Sequence, residues 1–254
     1  MNFIDAIINS GGTVYLVGGI NRDRLLNFYH STTVDPVDYD ILVMNISETA
    51  LKKILESFGE SSEIGQAFGN ILYRDYQLDL LFDISLPRSE VSTGPNYRDF
   101  KVIIDPYISI RSDLSRRDAT INSIAQRINK VDDLYCLKLE NIIDPNNGID
   151  DIINKIWKTV GDPYKRFLED CTRILRSLRQ CANFDLELDE TTKNAIIKHK
   201  DLLKYIQKTS RVRITNEFVK LVDCSNFIKW LKFMYDHEIT KYIGLEFDFY
   251  TCEQ

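Results

Sequence analysis

The sequence predicts an α+β chain: an N-terminal head built on a mixed β-sheet flanked by helices, followed by an all-helical remainder. Three observations predict it. Short apolar, β-prone runs alternate with helical spacings through the first 148 residues. From Ile149 onward, Pro163 is the only proline, and Gly161 and Gly244 are the only glycines. Over that stretch apolar residues recur at helical spacing: Phe167, Ile174, Leu175 and Leu178; Ile196, Ile197, Leu202, Leu203 and Ile206; Phe218, Leu221 and Val222.

The elements of the head follow in order. Thr13–Val17 is an apolar, β-prone run that ends at Gly18-Gly19, hence a strand. Asn21 to Phe28 has helical character, and Tyr39–Val43 reads as a second strand. Ser47 is an N-cap candidate for a helix through Phe58, with Glu48 in its first turn and Gly59 beyond it. Strands are expected at Asn70–Tyr76, Leu78–Ile84 and Phe100–Ile104. Pro87 to Asn96, rich in Ser, Gly, Pro and charge, reads as a loop. Asp118 to Ala125 reads as helical from the spacing of Ile121, Ile124 and Ala125.

At 254 residues the chain can bury the core of one sizeable domain and a smaller one. With 44% hydrophobic and 28% charged residues it has the composition of a folded protein rather than a disordered one. No apolar run approaches the roughly 18 residues of a membrane span. Met1-Asn2-Phe3-Ile4-Asp5 lacks the basic and apolar regions of a secretion signal, so a cytoplasmic location is expected. Cys136, Cys171, Cys181, Cys224 and Cys252 form no CxxC pair and are expected to be reduced thiols. The net charge of −6 argues against a generally basic surface. Arg and Lys cluster at Arg111–Arg117, Lys165–Arg179 and Lys198–Arg213, so phosphate binding is expected to be local.

Three features carry candidate chemistry. Asp38-Tyr39-Asp40 enters a strand, where side chains two apart share a face. Their mutual repulsion asks for a counter-charge, and a hard divalent cation set against a triphosphate supplies one. A solvated loop end is the plainer reading of the same residues. Asp79 and Asp83 share one face of a later strand, and Asp83 is the better third carboxylate because it lies nearer the following loop. Gly18-Gly19, followed by Arg22, suits backbone contact with a phosphate at a helix start, or simply a tight turn with a surface arginine. Arg116-Arg117-Asp118 suits a phosphate or a base edge, or a surface ion pair.

These segments stand in an order that resembles a known family. They are Val14-Tyr15-Leu16-Val17-Gly18-Gly19-Ile20-Asn21-Arg22-Asp23, Asp38-Tyr39-Asp40, and Leu86-Pro87-Arg88-Ser89-Glu90 with Thr93-Gly94. Then come Asp113-Leu114-Ser115-Arg116-Arg117-Asp118-Ala119-Thr120-Ile121-Asn122-Ser123 and Ile143-Asp144-Pro145-Asn146-Asn147-Gly148. The last is Glu169-Asp170-Cys171-Thr172-Arg173-Ile174-Leu175-Arg176-Ser177-Leu178-Arg179. Together they resemble the class II CCA-adding enzymes and bacterial poly(A) polymerases, within the DNA polymerase β-like nucleotidyltransferases. The likeness runs over residues 13 to 180 and more faintly to 222, where Ser210–Glu217 is similar to the start of the family's body. Ala119 stands where an aromatic or leucine is usual, and Cys171 where proline is common.

The resemblance implies a nucleotidyltransferase head at 1–148, a helical neck at 149–200 that selects the nucleotide, and a shortened helical body at 201–254. It implies that Asp38 and Asp40 are catalytic and bind two Mg²⁺ ions, and that Gly19, Arg22 and Arg117 contact the nucleotide. It further implies that Asp170 and Arg173 read the Watson–Crick edge of CTP or ATP, with Arg176 and Arg179 as further nucleotide-site arginines. Asp170 and Arg173, three apart, would be neighbours on one helix face. Arg179 would lie about half a turn from Asp170, so it is expected to meet phosphate, RNA or an acidic partner. The implied reaction is template-independent addition of C and A to the 3′ end of tRNA. Poly(A) synthesis, A-only or C-only addition and a different acceptor stand as alternatives. A catalytically silent RNA-binding relative would have no need of the whole intact set.

Overall fold

The computed structural model describes residues 1–34, 38–64, 70–92, 100–204 and 211–244. The sequence features at Thr93-Gly94, Ile206, Ser210 and Cys252 lie outside the described residues. The chain divides into two compact units, Met1–Val91 with Lys101–Asn154, and Ser92–Phe100 with Lys155–Gln254.

The N-terminal unit begins with α1 (Phe3–Asn9), whose N-cap Asn2 and N3 residue Asp5 bond reciprocally. Then follow β1 (Thr13–Val17), α2 (Gly19–His30), β2 (Tyr39–Met44), α3 (Glu48–Glu56), β3 (Gly59–Ile64), β4 (Asn70–Asp75) and β5 (Leu80–Ser85). The strands β6 (Arg88–Ser92) and β7 (Phe100–Ile104) pair with each other. Next are α4 (Ile110–Ser115), a 3₁₀ turn at Thr120–Asn122, β8 (Ala125–Ile128), β9 (Ile142–Ile143) and α5 (Gly148–Ile153). Seven strands form one sheet in the order β3-β4-β5-β2-β1-β8-β9. It is mixed: β2 runs parallel to β5 and antiparallel to β1.

Alternation along the strands explains the layers. Leu16, Ile41, Val43, Phe82 and Ile84 bury one face against Phe3, Ile4 and Ile7 of α1. Tyr15, Val17, Leu42 and Met44 cover the other with Leu114 and Ala125. The Phe3 ring stands 5.1 Å from both Tyr73 and Phe82. Ser47 caps α3 as expected, its Oγ accepting from the Ala50 amide.

Two expectations for the head need correction. Arg88–Ser92 is a strand, not loop: it pairs with β7. Asp118 to Ala125 is not a helix. Ile121, Ile124 and Ala125 are all fully buried, but through a single 3₁₀ turn followed by β8. A short apolar run satisfies either reading. The strand was disguised by Gln126, which is fully buried and donates to the carbonyls of Asp133 and Cys136 while accepting from the Lys138 amide.

In the C-terminal unit, α6 (Pro163–Glu169), α7 (Thr172–Phe184) and α8 (Glu190–His199) are followed by helices at Arg211–Val222, Phe227–Asp236 and Ile239–Ile243. Phe167, Ile174, Leu178, Ile196 and Leu203 are fully buried, whereas Val222 is exposed. The unit is not wholly helical: β10 (Ile156–Trp157) and β11 (Glu187–Leu188) form a two-residue parallel bridge. The buried Trp157 donates its indole N–H to Gln180 of α7 at 2.8 Å. No helix among the described residues is long and apolar enough to cross a membrane.

The segment Asp144–Gly148 clamps the 120–122 turn. Asp144 accepts from the amides of Gly148 and Ile149, and Asn146 donates to the Ser123 hydroxyl at 2.6 Å. A Cβ at Gly148 would stand 2.2 Å from the Thr120 carbonyl oxygen. Gly148→Ala is therefore expected to destabilise the head by about 2 kcal/mol, read as a lowered melting temperature. An unchanged melting temperature would show that the turn yields without cost.

Candidate active site

The cleft starts where β1 ends. Gly18 has φ 76° and ψ −139°, a backbone conformation that a side chain resists. A Cβ there would lie 2.9 Å from Asp40 Oδ2 and 3.3 Å from Arg117 Nη1. Gly18 thus brings the chain close to a carboxylate and a guanidinium at once. Gly19, which the family resemblance implies in nucleotide contact, opens α2, and a Cβ there would lie 3.2 Å from Arg22 Nη2.

Asp40 is the second residue of β2 and stands in register with Asp83 of the neighbouring parallel strand. Register partners direct their side chains to one face. Both line a cleft of 240 Å³ together with Asn70, Arg88, Arg116 and Arg117. Burial pushes the Asp83 carboxyl up; Arg88 draws it down in part, and the charge of Asp38 raises it. Asp38 lies just ahead of β2 and is exposed. Its charge also raises Asp23, whose main upward cause is burial, opposed by Arg22. Asp79, the weaker third candidate, sits in the turn before β5 at φ 51° and pairs with Arg74 at the surface. Among the described residues, no three side chains of the His, Cys, Asp and Glu types are arranged to hold a metal by themselves.

The arginines are organised by acids outside the cleft lining. Asp113 of α4 is fully buried. Its Oδ1 accepts from Arg116 Nε at 2.9 Å and Nη2 at 2.7 Å, and its Oδ2 lies 3.5 Å from Arg117 Nη2. Burial pushes the Arg117 guanidinium below its usual range and Arg116 pushes the same way, while Asp113, Asp40 and Asp118 hold it up. It remains a cation at neutral pH. Arg22 donates to Asp23 at 2.8 Å and to Asn122 Oδ1 at 2.7 Å, and Asn122 donates to Asp118 at 2.9 Å. The nearby Arg24 serves the fold instead, donating to the carbonyls of Leu134 and Cys136 and bracing the turn after β8.

The remaining candidates belong to the C-terminal unit. Asp170 is not on the helix of Arg173. It is an extended residue after α6, and its Oδ1 accepts from the amide and hydroxyl of Thr172 at the start of α7. Cys171, which replaces the more usual proline, is buried in that break. Asp170 Oδ2 stands 3.8 Å from Arg213 Nη2. Arg173 donates to Glu169 at 3.0 Å and to the Arg166 carbonyl at 3.1 Å. Arg176 is half-buried on α7. Arg179 meets an acidic partner, Glu217, at 2.6 Å and so ties α7 to the helix Arg211–Val222.

Sequence reasoning left Arg88, Asp113, Asn122 and Arg213 without roles, and it read Gly18 only as part of a glycine pair suited to phosphate contact or a tight turn. Each sat inside a quoted segment, but the positive φ of Gly18 and the pairing of Asn122 with Arg22 a hundred residues earlier leave no local mark. Asp113, three and four residues before Arg116 and Arg117, was by contrast a local signal that sequence reasoning did not use. Gly18→Ala forces a Cβ against Asp40 in a disfavoured conformation and is expected to cost about 2 kcal/mol, measured by denaturant unfolding. Wild-type stability in that variant would mean the Gly18 turn is not strained.

Residues 14–158 match the poly A polymerase head domain. Residues 185–250 match a family described as "Probable RNA and SrmB- binding site of polymerase A". A CCA-adding enzyme of Geobacillus sp. (strain WCH70) is 31% identical over 226 residues, which are 88% of this chain and 48% of the relative. That of Ligilactobacillus salivarius (strain UCC118) is 32% identical over 249 residues, 98% of this chain and 55% of the relative. The crystal structure of the Bacillus stearothermophilus CCA-adding enzyme in complex with CTP is similar at a TM-score of 0.74 and 26% identity, covering 94% of this chain and 52% of that one. The chain spans about half the length of the curated relatives it matches. The head-domain match covers more than half of the chain, and the chain belongs to the poly A polymerase head-domain family.

Proposed function

We propose that this chain transfers nucleotides from CTP and ATP to the 3′ end of tRNA without a template. One observation carries the reading: Asp40 and Asp83 stand in register in a cleft that also holds Arg88, Arg116 and Arg117. Such a site offers acceptors for a cation and donors for the phosphates that the cation accompanies. The relatives named CCA-adding enzymes, one of them seen with CTP, support the choice of substrates. The match of residues 185–250 to an RNA-binding description supports an RNA acceptor.

The donor chemistry fits hard divalent ions. Asp38, Asp40 and Asp83 supply carboxylate oxygens only, and the Asp83 carboxyl is raised mainly by burial and in lesser part by the charge of Asp38. Mg²⁺ is the ion we assign there, held by Asp38 and Asp40 with Asp83 beside them. Bound, it would neutralise triphosphate charge and stabilise the attacking and leaving oxygens. Triphosphate oxygens and water would supply the rest of its coordination.

The chain's own residues divide the remaining work. Arg117, and Arg22 with the backbone at Gly19, bind the triphosphate. Arg88 and Arg116 add positive charge to the cleft wall. Asp170 and Arg173 read the base edge by exchanging their internal partners Arg213 and Glu169 for the nucleobase. Arg176 lies on α7 with Arg173, and Arg179 secures that helix through Glu217. The roles divide into a catalytic head at 1–148, a selecting neck at 149–200 and a helical body at 201–254.

An extension assay tests this. The protein is given Mg²⁺, labelled CTP or ATP, and tRNA lacking its 3′ end. Stepwise C, C, A addition is expected. Long A tails would transfer the reading to a poly(A) polymerase, a single C or A would indicate a partial enzyme, and no incorporation on any RNA would sink it. Asp40→Ala is expected to remove all transfer; residual activity near wild type would refute the carboxylate assignment. Asp170→Asn keeps an oxygen for the Thr172 turn but alters the base-facing pattern. It is expected to change the ratio of CTP to ATP use by about tenfold, at the scale of one charged hydrogen bond. An unchanged ratio would remove Asp170 from base selection.

A further inference from the structure

We infer that Asp113 is a positioning residue: it sets the arginine pair that receives the triphosphate, while touching no substrate itself. The inference rests on the reading of this cleft as a nucleotide site. Asp113 is fully buried and is absent from the cleft lining, whereas Arg116 and Arg117 both line it. One of its carboxylate oxygens takes two donors of Arg116, and the other faces Arg117. Charge-assisted bonds of 2.7 and 2.9 Å hold a long, rotamer-rich side chain in one geometry. An arginine ordered before the ligand arrives does not lose that freedom on binding.

The same carboxylate makes two adjacent cations tolerable. Arg116 disfavours the charge on Arg117, and Asp113 is the leading influence that favours it. Arg117 is confined at another point by the Gly18 turn, 3.3 Å from where a Cβ would stand. Its guanidinium is thereby held between a buried acid and a glycine that cannot be enlarged. The three side chains carry a net single positive charge into the cleft, with fixed direction.

This role has a signature opposite to that of simple electrostatics. Removing an anion beside a phosphate site should tighten triphosphate binding if charge alone matters. Removing a positioning anion should weaken it. Calorimetric titration of a non-hydrolysable CTP analogue with Mg²⁺ separates the two. Asp113→Asn is expected to weaken binding about tenfold and to raise KM far more than it lowers kcat. In an Arg116→Ala/Arg117→Ala background the same change is expected to have less than about twofold effect, since the residues act as a unit. Binding by folded Asp113→Asn that is equal to or tighter than wild type overturns the inference. So does a full tenfold loss in the double-alanine background. Should Asp113→Asn fail to fold, Asp113→Glu retains the charge and displaces the carboxylate by one methylene. It is expected to fold and to bind the analogue more weakly, and wild-type affinity there overturns the inference too. A wild-type chain that binds no triphosphate sinks the nucleotide-site reading and this inference with it. Wild-type binding with an indifferent Asp113 sinks this inference alone.

Discussion

Two carboxylates in register on neighbouring parallel strands repel each other, and Asp40 and Asp83 are held so by the hydrophobic sheet beneath them. Their neighbours in the strands, Ile41, Phe82 and Ile84, are fully buried in the core against α1. A slip of β2 by one residue would drive Asp40 into that core and Ile41 into the cleft, because side chains alternate with a period of two. Apolar packing therefore specifies the acidic pair. Burial is what chiefly raises the Asp83 carboxyl, with the charge of Asp38 as a smaller contribution and Arg88 opposing both.

The basic side of the cleft obeys the same logic with the signs reversed. Arg116 and Arg117 follow each other in the chain, and neither is left to find its own direction. Asp113 takes the first through two bonds and faces the second, and Asp118 reaches Arg22 through Asn122. The 120–122 turn that carries Asn122 is clamped in turn by Asp144, Asn146 and Gly148. Segments that stand far apart in sequence are thus links of one chain of contacts around the cleft. Much of what looks like a set of separate motifs is scaffolding for a few side chains.

The legible part of this arrangement was the part written in periodicity and short-range chemistry. Apolar β-prone runs marked β1 and β2, the Ser47 cap marked α3, and the loss of Gly and Pro after residue 148 marked the helical half. Two kinds of information were hidden. One was any strand whose inward residues are polar, as at Gln126, because burial there depends on partners supplied by Asp133, Cys136 and Lys138. The other was backbone sign. Gly18 and Gly19 are indistinguishable as letters, yet only Gly18 adopts a positive φ and presses on Asp40. The break between α6 and α7 was hidden likewise. Glu169 through Arg179 reads as one amphipathic helix, and the extended Asp170 interrupts it.

That break alters how base selection should be understood under the proposed reading. Were Asp170 and Arg173 neighbours on one helix face, their geometry would be fixed by helical spacing alone. Instead Asp170 is aimed by its bond to Thr172 and by Arg213, and Arg173 by Glu169 and the Arg166 carbonyl. Neither side chain waits as an unsatisfied buried group. A nucleobase must therefore replace bonds that already exist, and its net gain is the difference between its own edge and the internal partners. A base that mismatches restores nothing and leaves a donor or acceptor worse off than before, which is how a polar site discriminates more strongly than an apolar one. Under that reading selectivity would reside as much in Arg213 and Glu169, the partners that would be displaced, as in Asp170 and Arg173 themselves.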